Sequence, residues 1–153
     1  MTERYAVFVD ISAKIESWDK PSVIAVSNDH TRALFVSAET KRAAIHLAYG
    51  ATPPQYLLMA VLTYIVVAPE IERVSSITLD RDYSGDVAER TIRRLLLEFL
   101  RRHRPKLRAA AIRMQNIAGT TADRHARAVY KGKAVADGEI TLEKIWKVLE
   151  GKQ

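Results

Sequence analysis

The sequence predicts a mixed α/β sheet covered by helices. Three observations predict it. The first 37 residues carry three short runs of β character joined by turn residues, later apolar runs alternate with helical periodicity, and acidic residues stand where two of the runs end. Strands joined by short turns pair antiparallel, whereas strands separated by helices need crossovers and pair in parallel.

Taken in order, Tyr5 to Ile11, Val23 to Ser27 and Ala33 to Ser37 read as an antiparallel meander, with Asn28, Asp29 and His30 supplying turn chemistry. Glu39 to Tyr49 reads as a helix ended by Gly50, although Ala43, Ile45, Leu47 and Tyr49 also alternate as in a strand. Thr52, Pro53 and Pro54 open the next helix, because proline loses nothing in a first turn whose amides have no partner. That helix runs from about Gln55 to Val67 and stops before Pro69. Ser76 to Leu79 is a strand, and RDYSGD after it is a loop. A helix from Val87 to about His103 faces the sheet with Ala88, Ile92, Leu95, Leu96 and Phe99. Ala109 to Met114 is the fifth strand. Thr120 and Thr121 then start a short helix, Ala122 to Tyr130, which Lys131-Gly132-Lys133 ends, and a last helix, Thr141 to Glu150, buries Leu142, Ile145, Trp146 and Leu149. No repeat or linker divides residues 1–153, so one domain is expected.

Asp10 and Asp80 close apolar strands, and Asp123 opens the short helix after a third such strand. An acid at the exit of a buried strand is costly to desolvate unless it meets water, a cation or a donor. If the strand ending at Asp80 lies parallel to the first, both acids leave the sheet at one edge, where open α/β sheets bind ligands. Asp82, two residues beyond Asp80, is a further candidate ligand, although Asp is an ordinary loop residue as well.

Composition narrows the function classes. Hydrophobic content of 48% and charged content of 27% are those of a globular chain with an ample core. The longest apolar stretch, Tyr56 to Ala68, falls short of the roughly 20 residues of a membrane span, and the start resembles no signal region. Together with the absence of cysteine this leads to the expectation of a cytoplasmic protein without a membrane partner. Arg outnumbers Lys 15 to 9, with two Asn, which leans toward a thermophilic source. Residues 1–80 carry 7 Lys/Arg against 9 Asp/Glu, net −2, and residues 81–153 carry 17 against 9, net +8. Within the basic half, Arg90, Arg93, Arg94, Arg101 and Arg104 fall on one helical stripe opposite Ile92, Leu95, Leu96 and Phe99. Such a stripe is either a solvated face or a grip for phosphates, where neutralised charges release counterions.

Other chemistries find little support. His30, His46, His103 and His125 lack zinc-like spacing, no glycine-rich phosphate loop precedes a helix, and Ser12, Ser37 and Ser84 have no nucleophile-elbow context. His125, two residues after Asp123, is either a proton shuttle or simply exposed, and Tyr83 either stacks on a base or covers a helix end.

The element order, with Asp10 in FVDIS, Asp80 in ITLD and Asp123 in TADRHAR, resembles the ribonuclease H-like superfamily over nearly the whole chain. The resemblance implies a five-stranded mixed sheet with carboxylates on the first strand, the fourth strand and the last helix. It implies a Mg2+- or Mn2+-dependent nuclease acting on RNA, an RNA/DNA hybrid or branched DNA, with Asp10, Asp80 and Asp123 as catalytic metal ligands. The chain departs from the family in its first long helix, where Gln55-Tyr56-Leu57-Leu58-Met59 holds no acid, and neither Asp82 nor Glu39 matches the missing Glu. The rival expectation is therefore an inactive relative serving as a nucleic-acid or protein interaction module. A third is an assembly subunit, a homo-oligomer included, that uses the sheet edge or the basic helix as its interface.

Overall fold

The computed structural model describes residues 4–28, 30–47, 52–81 and 85–151. Strands β1 (Tyr5–Ser12), β2 (Ser22–Ser27) and β3 (Thr31–Val36) form the antiparallel meander, with Asp10 opposite Ala25 and Ala25 opposite Ala33. Strand β4 (Val74–Asp80) pairs parallel to β1, and β5 (Ile112–Gln115) pairs parallel to β4. A two-residue strand, β6 (Gly138–Glu139), pairs parallel to β3, so the sheet order is β5-β4-β1-β2-β3-β6.

The expectation of five strands is corrected to six. β6 is too short to carry a period-two signal and is held instead by tertiary contacts: the Ala33 amide donates to the Asp137 carboxylate at 2.7 Å, and the Asp137 amide donates to the Ala33 carbonyl at 2.8 Å. The fifth strand also starts later than its apolar run, because Ala109–Ala111 closes a 3-10 turn before Ile112. The mixed sheet, antiparallel and then parallel, is compatible with a ribonuclease H-like fold.

Among the described residues, five α-helices cover the sheet. Helix α1 (Ala38–Ile45) is capped by the Ser37 hydroxyl, which resolves the ambiguous segment as helix as far as it is described; Tyr49 and Gly50 lie outside the described residues. Helix α2 (Pro54–Val67) has ten of its fourteen residues buried, which explains its apolarity on all sides. With the 3-10 turn after it, the span Pro54–Arg73 is 20 residues and apolar enough to cross a bilayer by composition, yet here it forms the centre of the core. Helices α3 (Asp86–Leu100) and α5 (Leu142–Leu149) complete that layer, while α4 (Thr121–Tyr130) lies alone on the other face. On α5 the buried residues are Ile145 and Val148, whereas Leu142 and Trp146 are more than a third exposed, so the expected apolar face is rotated.

Strand alternation decides which layer each side chain meets. Val7, Val9 and Ile11 of β1, Ile77 and Leu79 of β4, and Ile112 and Met114 of β5 join the large core under α2 and α3. The intervening residues, Phe8 and Asp10, Thr78 and Asp80, Arg113 and Gln115, therefore point to the α4 side.

Candidate functional site

Small side chains bring α4 down onto the sheet. Ala126 of α4 is fully buried against Val23 and Ala25 of β2 and Ala33 of β3, with Val129 packed beside them. Alanine on both surfaces permits close approach, and the helix is started by the Thr120 hydroxyl, which accepts from the Asp123 amide at 3.3 Å. Asp123 thus sits in the first turn, on the flank of the helix that overhangs β1.

Asp10 is 4% exposed, an unusual state for a carboxyl group. One of its oxygens accepts from the Ile11 amide at 2.8 Å, and its side chain is in hydrogen-bond reach of Asp123. Asp123 in turn accepts from the Gly119 amide at 2.8 Å and from the Arg127 guanidinium at 3.1 Å on both oxygens. These contacts hold the Asp123 carboxyl below the usual range. The Gly119 amide contributes most, burial opposes it, and the Asp10 hydrogen bond and Arg127 add to the lowering.

Asp80 belongs to the same face. Val9 of β1 pairs with Leu79 of β4, so Asp10 and Asp80 each follow the last paired residue of two neighbouring parallel strands and share the α4 side. The Asp80 carboxylate accepts from the Ile117 amide at 3.1 Å. The loop from Asn116 to Thr120 therefore tethers two of the three acids, Asp80 through Ile117 and Asp123 through Gly119.

Two carboxyl groups in hydrogen-bond contact do not both stay ionised unless a proton or a cation lies between them. That requirement, met at a face of hard oxygen donors, fits Mg2+ or Mn2+. The fit is through Asp10 and Asp123, with Asp80 alongside. Among the described residues no three acidic or histidine side chains are gathered tightly enough to hold an ion without rearrangement.

Comparison with protein-family models, curated proteins and solved structures returned no match.

The remaining candidates are dispersed. Asp82, Tyr83 and Ser84 lie outside the described residues. Glu39 is exposed on α1, which packs with α2 and α5 in the layer opposite α4, and Gln55 to Met59 belong to that same layer. His125 is half-buried on α4, but residues two apart on a helix do not face each other, so it is not aimed at the Asp123 carboxylate.

The basic stripe changes more. Because α3 ends at Leu100, Arg101 and Arg104 are not on a continuous helical face with Arg90, Arg93 and Arg94. Arg104 donates to the carbonyls of Ile71 and Val74, Arg101 to Leu107, and Arg93 to Ala109. Arg90 folds back on the Asp86 carbonyl but stays exposed, as does Arg94. Sequence reading passed over Arg127, although its spacing of four from Asp123 on a helix was a usable signal. Nothing local signalled the amides of Gly119 and Ile117.

Proposed function

We propose that this chain is a ribonuclease H-like, divalent-metal-dependent nuclease acting on RNA, an RNA/DNA hybrid or branched DNA. The observation that carries the reading is the buried Asp10 carboxyl in hydrogen-bond contact with Asp123, on the face that also bears Asp80. Asp10, Asp123 and Asp80 would hold Mg2+ or Mn2+, which when bound supplies an activated water and stabilises the leaving oxygen in phosphodiester hydrolysis. The Gly119 amide keeps Asp123 ionised and oriented, and the Ile117 amide orients Asp80. Burial of Asp10 keeps bulk water away from its carboxyl.

A ligand that binds only the folded state raises the unfolding temperature. Millimolar Mn2+ is expected to raise the melting temperature of the native chain, and Asp10→Asn or Asp80→Asn to abolish the rise together with metal-dependent cleavage. Absence of any shift with the native chain would refute the reading.

A specific observation favours a second reading, the catalytically inactive interaction module. Arg127 already places a positive charge on Asp123, and the helix that would bring a fourth acid has none between Gln55 and Met59. Under this reading the guanidinium occupies the role of the cation.

A further inference from the structure

Among the described residues, a group of cations lies away from α3. A cleft of about 420 Å³ opens where the turn after α3 meets the beginnings of β4 and β5, and Arg4, Arg104, Lys106, Arg108 and Arg113 line it without an acidic side chain. Arg104 forms the structural wall through its bonds to Ile71 and Val74, and Arg4 is anchored on the Glu72 carbonyl at 3.3 Å. Lys106, Arg108 and Arg113 are exposed, and their side chains make no hydrogen bond or ion pair among the described residues. Like charges crowded around one concavity repel one another, and a polyanion relieves that repulsion while releasing its counterions.

Register links the cleft to the acids. Arg113 pairs with Thr78 and Gln115 with Asp80, so the inner wall of the cleft stands about 7 Å along the edge strand from Asp80, two residues at strand rise. Arg113 and Gln115 are both exposed on the α4 side of β5, and α4 itself packs over β1, β2 and β3.

We propose that this cleft seats the phosphodiester backbone of a nucleic-acid strand, which then runs along β5 toward Asp80. The proposal rests on the nuclease reading for the strand's destination, whereas the binding itself needs no metal.

Anisotropy of a labelled single-stranded oligonucleotide, titrated in EDTA at several salt concentrations, tests it. The variant Lys106→Ala/Arg108→Ala/Arg113→Ala is compared with Arg90→Ala/Arg94→Ala and the native chain. Loss of three phosphate contacts reduces the slope of log affinity against log salt by about 2, at roughly 0.7 per contact on a single strand. The α3 variant is expected to move the slope by less than half as much. An unchanged slope in the cleft variant, a full loss in the α3 variant alone, or no binding by the native chain at low salt would each overturn the proposal. Since EDTA removes the metal, a failed Mn2+ titration beside an intact cleft effect would sink the metal reading alone.

Discussion

Asp123, in the first turn of α4, lies in hydrogen-bond reach of Asp10, which is buried at the centre of β1. The two residues are more than a hundred positions apart in the chain and meet because small side chains let the helix rest on the sheet. Much of the molecule's expected response to mutation, metal and pH follows from such contacts.

In the metal-free protein the contact between Asp10 and Asp123 needs a shared proton, and an amide at position 10 supplies the donor without one. Asn at position 10 still accepts from the Ile11 amide and can donate to Asp123. Asp10→Asn is therefore expected to stabilise the metal-free protein at neutral pH by about 1 kcal/mol, the net value of one such bond. Chemical denaturation in EDTA measures it, and a destabilised variant would show that the native pair is already compensated.

Arg127 is 57% exposed at its side chain, and its pair with Asp123 is a helical i,i+4 contact. Such pairs contribute only about 0.3 to 0.5 kcal/mol, less when screened by salt. Arg127→Ala should accordingly leave stability almost unchanged while removing the guanidinium from both Asp123 oxygens, one of which still accepts from the Gly119 amide, so that Mn2+ binds more tightly. Weaker or unaltered Mn2+ binding, read by calorimetry, would count against Asp123 as a ligand.

The arginines of the α3 region separate by what they donate to. Arg104 satisfies two backbone carbonyls at the start of β4, and Arg94 is exposed without a recorded partner among the described residues. Arg104→Ala is expected to cost about 1 to 3 kcal/mol and Arg94→Ala less than about 0.5 kcal/mol in denaturant unfolding. Equal effects would mean that the wall of the cleft is not structural.

Lys41 of α1 is completely buried, and its ammonium donates to Ser22 Oγ at 2.9 Å and to the carbonyls of Ser17 at 3.0 Å and Lys14 at 3.3 Å. Desolvation lowers its pKa from 10.5 to about 8, against the opposing pull of Glu16 and Asp19. With the folded value below the unfolded one, the unfolded chain binds more protons between those two values, so stability rises with pH from about 8 to 10.5. Lys41→Met should erase that rise, which unfolding midpoints measured across this window would reveal.

Much of the architecture was legible in the chain. The meander declared itself through Val23 to Ser27 and the turn at Asn28, α2 through its paired prolines, and α4 through Thr120 and Thr121 at its start and Lys131-Gly132-Lys133 at its end. Misreadings fell where a tertiary contact outweighs a local pattern. Ala109 to Ala111 joins a turn instead of β5, β6 exists through its pairing with β3 and the Asp137 bonds to Ala33 that precede it, and α5 turns Trp146 toward solvent while Ile145 and Val148 face the core.

The sequence by itself determined that Asp10 lies on a strand, that Asp80 ends one and that Asp123 opens a helix, since hydrophobic periodicity and capping are local properties, whereas β1 continues through Asp10 to Ser12 by pairing with β2. Only the tertiary structure decided that Asp10 and Asp123 touch, that Arg127 shares the contact, and that Lys106, Arg108 and Arg113 gather around one cleft beside β5. Charge and distance between remote residues depend on how closely surfaces pack, and that follows from side-chain volumes such as those of Ala25, Ala33 and Ala126 acting together.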